Sequence, residues 1–449
     1  VRSLMASLET HAQCCASQAN ANSMLTFVLA FAANQTQPLP KAELLSAEAL
    51  PAAVQRVLAA AQERDADAEV RVWIAHEGRV LASCAVGAQV GRVDELLPLG
   101  ALSHSFTAVL ALQLAEAGAL NLDMPLRAQW PELPWAEAAP QLGETTVAAA
   151  MAGLACLPRL DAVVQASATA TTDAAWLRAF APDAPLGTRH DPDDASWALV
   201  ARACALAGKA SHHDLIRERL LAPLELVGVR VATRAEAVGA VELPTLEPKQ
   251  STVELAASPE VLACWMKALL ERRLLKEPST RRYMTPSSLL DGNSTHCGYG
   301  LAQSKVMGLK RYRMASARGT RQVDLSYWSL SKAVVIVEAM HWDEPLETLS
   351  RPVGLAVQNL RQADLTQAEY DQTQAQAYAG QWMLAGRLIE LRAEETRLVQ
   401  TAAGRTMALV PLAGGVFGCK SDPEARWSLR DGVLVLLQGG YETKATRVP

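Results

Sequence analysis

Aromatic residues are scarce in this chain, at 5% of its 449 residues, and its seven tyrosines all come late, the first being Tyr283. No lysine lies between Lys41 and Lys209. Any chemistry housed in that stretch must therefore do without a tyrosine hydroxyl or a lysine amine as its base. The eight cysteines (Cys14, Cys15, Cys84, Cys156, Cys204, Cys264, Cys297, Cys419) form no Cys-x-x-Cys pair and no zinc-like spacing. The histidines are dispersed apart from His212-His213, so neither a metal site nor a cofactor is expected. A net charge of −5 supplies no basic field for nucleic acid. Arg272-Arg273 and Arg281-Arg282 read as solvated helix faces. No apolar run reaches the roughly 20 residues of a transmembrane helix.

What is present is ample apolar material: half the residues are hydrophobic. A chain this long divides into more than one core. Residues 1–41 read as a leader or tail, in which Met24 to Ala33 is apolar, ends in an Ala-x-Ala pattern, and looks like a short secretion signal. The preceding segment carries one basic residue, an odd start for such a signal. A periplasmic or secreted location is the expectation, with a cytoplasmic one as the alternative.

A main domain is expected over 42–362. After Ala42 a helical segment interrupted by Pro51 leads into a β-hairpin, with Val70–Ala75 and Arg79–Ala82 flanking a turn at Glu77-Gly78. Residues 363–377, rich in Gln, Asp and Thr, read as a linker. From Tyr378 onward short alternating strands take over, such as Arg387–Arg392 and Val433–Leu437, and 378–449 is expected to be a small β-barrel.

The run Gly100-Ala101-Leu102-Ser103-His104-Ser105-Phe106-Thr107-Ala108 carries the most information. It resembles the nucleophile helix of the penicillin-binding, class C β-lactamase-like serine hydrolases, where a Ser-x-x-Lys pair opens the helix. A Ser-x-x-Lys pair works because residues three apart share one helix face, so the base reaches the hydroxyl it activates. Here Ala101 holds the nucleophile position and His104 the lysine position. The flanking Ser103 and Ser105 have Phe106 and Ala108 three residues on, and neither restores the pair.

The resemblance continues in order along the chain. Thr146 to Pro158 matches the segment T-I-x-x-L-L-x-H-T-S-G-L-P, with small polar residues replaced by Ala and Cys. Pro185 to Val200 matches P-G-T-x-F-x-Y-S-N-x-x-Y-x-L-L, with Pro192 for the tyrosine and Asp194 for the asparagine. Pro223–Leu226, Ser258–Met266 and Tyr299–Leu301 match further family segments. By spacing, the third motif (Lys-Thr-Gly or His-x-Gly) falls on Arg313-Met314-Ala315. His296-Cys297-Gly298 spells His-x-Gly but precedes Tyr299 rather than following it. Ser329 to Lys332 spells Ser-x-x-Lys but leads straight into an apolar strand.

The resemblance implies an α+β fold: a β-lactamase/transpeptidase-like antiparallel sheet packed between helices, with a helical insertion and a C-terminal lipocalin-like barrel. It also implies a cleft formed by Ala101, His104, Pro192, Asp194 and Arg313, with no catalytic residue among them. In that cleft His104 would face Asp194, and Arg313 would hold a carboxylate. A small-molecule or peptide ligand, anionic in character, is the expected partner. Three readings stand side by side: a catalytically degenerate binding protein, a hydrolase in which His104 and Asp194 activate water, and a protein that binds through its C-terminal barrel. The sequence leaves the oligomeric state open.

Overall fold

The structure is a computed structural model that describes residues 40–89, 94–159, 162–163, 172–192, 194–231, 255–361, 365–402, 405–420 and 422–448. The signal-like segment 24–33 lies outside the described residues.

The expected hairpin forms. Strands β1 (Glu69–His76) and β2 (Arg79–Val86) pair antiparallel. Glu77 and Gly78 both have positive φ (51° and 78°), the backbone that a tight hairpin turn requires. Short strands β3 (Leu97–Pro98), β4 (Val229–Val231) and β5 (Leu255–Ala257) make a small separate sheet. The remaining strands of the main sheet are β6 (Ala302–Val306), β7 (Leu309–Arg318), β8 (Arg321–Trp328) and β9 (Ala333–Met340). The order across this antiparallel sheet is β2-β1-β9-β8-β7-β6.

Both faces of the sheet are covered, so β1 and β9 are almost wholly buried rather than alternating. One face carries helices α1 (Leu50–Arg64) and α5 (Glu347–Ala356), packing Leu50, Val54 and Leu349 with Val70, Val72, Val335 and Val337. The other face carries α2 (His104–Glu116), α3 (Asp194–Gly208) and α4 (Pro259–Leu270). Helix α2 is apolar nearly all the way round, the pattern of a helix buried on all sides. It stops at Gly118, whose φ of 71° is the left-handed C-terminal cap. Phe106 of α2 stacks on Trp265 of α4 at 3.9 Å between ring centres. Burying an aromatic side chain this fully contributes about 1.5–3 kcal/mol.

The C-terminal strands close into an eight-stranded antiparallel barrel: β10 (Gly380–Leu384), β11 (Arg387–Ala393), β12 (Leu398–Ala402), β13 (Arg405–Leu412), β14 (Val416–Gly418), β15 (Arg426–Arg430), β16 (Val433–Gln438) and β17 (Tyr441–Arg447). Closure comes from β17 pairing back on β10, with Trp382 opposite Arg447. Trp382, Ile389, Leu391, Leu398, Phe417, Trp427 and Leu434 fill its interior, as side chains commonly do in barrels of this size.

The expected linker to residue 377 is shorter than the composition implies. Helix α6 (Gln372–Tyr378) is capped by Asp371, whose side chain accepts from the Gln374 N–H at 3.1 Å. It buries Ala375 and Tyr378, three apart on one face, in the barrel core. A two-residue apolar face is too brief to stand out from polar composition.

Candidate functional site

The chain leaves β3 through Leu99 and makes one 3₁₀ turn, Gly100–Ser103, before α2 begins at His104. In such a turn residues three apart eclipse one another. Ala101 and His104 are accordingly the two half-buried positions here, while Leu102, Ser103, Ser105 and Phe106 are buried.

The serines beside Ala101 are turned inward and engaged. Ser103 Oγ accepts the Leu255 N–H at 3.0 Å, tying the helix start to β5. Ser105 Oγ accepts from Trp265 Nε1 at 2.9 Å and lies 2.9 Å from the Tyr283 hydroxyl. Burial pushes the Tyr283 phenol well above its ordinary value, so it stays neutral. Ala101 contributes only its backbone to the site: its N–H donates to Ser316 Oγ on β7 at 3.0 Å.

His104 Nε2 lies 2.9 Å from Asp194 Oδ1, with both side chains still about one-sixth exposed (15% and 17%). Asp194 occupies the first turn of α3, where the helix N-terminus favours a negative charge. Trp197 is one turn further along the same face, and its ring stacks on His104 at 4.8 Å and 13°. Behind both rings sits Gly300, with φ of +79°; a Cβ there would lie 3.4 Å from Trp197 and 3.8 Å from His104 Cβ. Beside it, the Tyr299 hydroxyl accepts from Arg282 Nε at 2.8 Å, and Arg282 in turn pairs with Asp123. The sequence pattern thus brings Ala101, His104 and Asp194 to one place.

Pro192 sits at the rim, exposed, its backbone packed on Gly153; a Cβ on that glycine would lie 2.9 Å from the Pro192 nitrogen. Asp191 N–H donates to the Gly153 carbonyl at 2.7 Å and fixes this approach.

Arg313 is the correction. Strand residues alternate faces, and Tyr312 and Met314 pack toward α2 and α4. Arg313 therefore points to the opposite side, where its guanidinium pairs with Asp324 and Glu347. Burial works to raise Glu347, but Arg311 and Arg313 outweigh it and hold it down at about 2. The carboxylate cradle of His104 with Arg313 does not form. The β7 residue that does reach the site is Ser316, which spacing to the third motif missed. The signal available was parity: 312, 314 and 316 share a face.

The other chance motifs resolve as structure. Ser329 Oγ donates to the Lys310 carbonyl at 2.9 Å, and Lys332 pairs with Glu77 at 3.3 Å, at a turn between strands. Gly298 is pressed against the Tyr283 carbonyl; a Cβ there would lie 2.2 Å from it. Among the described residues no group of three or more His, Cys, Asp or Glu is arranged to hold a metal ion. Among them also, no helix is long and apolar enough to cross a membrane.

A helix start set against β7, next to the edge of an antiparallel sheet, with a second helix and a loop closing the cleft, is the arrangement of the β-lactamase-like serine hydrolase fold. The Beta-lactamase family model matches residues 54–320, more than half of the chain, and the chain belongs to that family. Among solved structures it is similar to the octameric penicillin-binding protein homologue from Pyrococcus abyssi (15% identity, TM-score 0.54, covering 87% of this chain and 99% of that one). It is also similar to D-amino acid amidase from Ochrobactrum anthropi SV3 (15%, 0.53, 68% and 100%). A D-stereospecific amidohydrolase from Streptomyces sp. shows the same likeness (18%, 0.50, 64% and 93%). At these identities the likeness is one of fold. No curated protein matches the chain.

Proposed function

We propose that this chain is a non-acylating member of the β-lactamase family, whose cleft binds a small molecule or peptide without forming a covalent intermediate. The observation that carries this reading is the state of position 101. Alanine has no atom to acylate, and its N–H is taken up by Ser316 Oγ. A backbone N–H aimed at the reacting carbonyl is the usual means of stabilising an oxyanion; here that donor is already satisfied. Ser103 and Ser105 cannot substitute, since each is buried and hydrogen-bonded away from the cleft.

Intact-mass spectrometry after incubation with a β-lactam and, separately, a fluorophosphonate tests this. The expected result is an unmodified mass on folded protein; a stoichiometric adduct on one serine would overturn the proposal. Binding is tested in parallel by thermal shift with D-phenylalanine and L-phenylalanine amide, with each of which the Ochrobactrum anthropi amidase has been solved in complex, and with β-lactams. Ligand binding is read as a rise in midpoint with concentration.

One observation favours a second reading. His104 and Asp194 form a hydrogen-bonded pair at 2.9 Å in a partly exposed cleft, the geometry of an oriented general base able to activate water. Slow turnover of an amide or ester that disappears in His104→Ala, with no adduct in the wild type, would select it. A barrel-borne ligand site is less favoured, because the barrel interior is filled by its own side chains. Export from the cytoplasm is part of the proposal on the strength of the apolar run at 24–33; N-terminal sequencing of the mature protein tests it.

A further inference from the structure

The barrel grips the two loops that form the rim of the cleft. The first, 187–192, leads into Asp194; the second, 289–300, ends at Gly300 behind His104 and Trp197. They are joined to each other by the Leu290 N–H donating to the Gly187 carbonyl at 3.0 Å. The β10–β11 turn presses on the first loop so closely that a Cβ on Gly386 would lie 2.5 Å from the Thr188 carbonyl oxygen. From the same turn Arg387 donates to the His190 carbonyl at 3.3 Å. Strand β17 holds the second loop: His296 Nε2 lies 3.3 Å from Thr443 Oγ1, and its ring stacks on Tyr441 at 4.4 Å. Asn293 exchanges hydrogen bonds of 3.3 Å with the Lys444 backbone. In this junction His190 Nε2 and His296 Nδ1 are both buried without a hydrogen-bond partner.

We propose that this junction is an acid-released latch: protonating His190 and His296 beside Arg387 detaches the barrel from the two rim loops and loosens the cleft.

The charges around the pair all resist an added proton or are already engaged. Burial acts most on His190, then Arg387 and His296, and together they lower it to about 4, with no carboxylate among the influences. Burial also lowers His296. Arg189, next in sequence to His190, is held by Asp183 at 2.8 Å and Asp191 at 3.5 Å. Arg313, which acts on the neighbouring Cys297, is matched by Asp324 and Glu347. Burial pushes the Cys297 thiol up to about 11, so it is neutral. Thr443, a neutral hydroxyl, adds no charge to the pair.

The sign follows directly. A histidine whose docked pKa is depressed leaves docking at full strength above its free value of 6.5, and docking weakens as pH falls toward 4. His190 lowers the docking constant about tenfold per pH unit in that window, and the lowered His296 acts in the same direction. The barrel has further ties to the main domain: the Lys305 N–H of β6 donates to the Gly439 carbonyl at 2.7 Å, with no titratable group in the bond, and a charged tie behaves differently from the histidines. Arg351 of α5 pairs with Asp422 and Glu424, and Glu424 also accepts the Met307 N–H at 2.9 Å. Burial raises Glu424, a shift of opposite sign, so this contact is not the source of an acid opening.

Hydrogen exchange by mass spectrometry on the full chain, from pH 7.5 down to 4.5, tests the latch. Rates are expressed relative to intrinsic exchange, and far-UV circular dichroism is recorded alongside. Protection in peptides spanning 187–192 and 441–447 is expected to fall about tenfold per pH unit below 6.5, while the circular dichroism stays constant. The variant H190Q/H296Q should keep its protection through this window. R387Q, which removes the cation together with its hydrogen bond to the His190 carbonyl, should lower protection at pH 7.5 yet lose less of it on acidification than the wild type. Identical profiles for wild type and both variants, unchanged protection in the wild type, or loss of dichroism in step with exchange would each overturn the proposal.

Discussion

The Ala101 N–H donates to Ser316 Oγ at 3.0 Å, so a strand hydroxyl closes over the very position where the family resemblance places a nucleophile. This contact joins the helix start to β7 across 215 residues of sequence. Ser316→Ala leaves that N–H without its partner. The expected loss is about 0.5–1.5 kcal/mol of stability, the net worth of an ordinary hydrogen bond, measured by urea unfolding.

Replacing Ala101 with serine supplies a hydroxyl but no activation. The residue three positions on is His104, already paired with Asp194, and the span from Lys41 to Lys209 holds no lysine between its ends. Ala101→Ser should therefore show no acyl-enzyme by intact mass after prolonged incubation with a β-lactam. A burst of adduct formation in this single variant would refute the account of what the site lacks.

Ser105 serves Trp265 and Tyr283 inside the core. Ser105→Ala strips a partner from two buried polar groups. Each group left unsatisfied costs about 1–3 kcal/mol, so this variant should be markedly less stable than Ser316→Ala. Comparing their thermal midpoints under identical conditions checks the ranking.

His104→Ala removes both the pair to Asp194 and the ring stacked on Trp197. A hydrogen bond involving a charged group contributes about 1.5–3 kcal/mol, here reduced because both side chains keep partial solvent access. Stability should drop by about 1–2 kcal/mol by the same reasoning, and binding of any cleft ligand should weaken. Unchanged binding and stability together would remove His104 from the site.

Acid sensitivity of the core has its own source. His212 is buried against α2, with Nε2 3.2 Å from Thr107 Oγ1. Burial, with a smaller push from His213, lowers it to about 3. Its contribution is intact above 6.5 and is lost as pH falls toward 3, because the unfolded chain takes up the proton first. His212→Asn should flatten the pH dependence of unfolding below pH 6.5, read from urea midpoints across that range.

Much of this arrangement is legible in the order of residues. Glu77-Gly78 between alternating apolar runs encodes the hairpin, and the alternation beyond Tyr378 encodes the barrel strands. Ala101 and His104, three apart at a helix start, must share a face whatever surrounds them. Arg313 was the failure: matching a motif by spacing ignores strand parity, and a one-residue offset sends a side chain through the sheet. Helix α6 was missed because its apolar face consists of two residues.

The sequence alone supplied the ordered motifs whose resemblance to a family implies the fold class, and it determined that no lysine stands between Lys41 and Lys209 and no tyrosine before Tyr283, since a residue absent from a stretch is absent in any conformation. Tertiary structure decided which groups meet. Ser316 at Ala101, Asp194 at His104, and the barrel on the rim loops are contacts between segments far apart in the chain. Such contacts depend on sheet register, on which face each strand residue takes, and on how the barrel closes and docks, none of which a local pattern specifies.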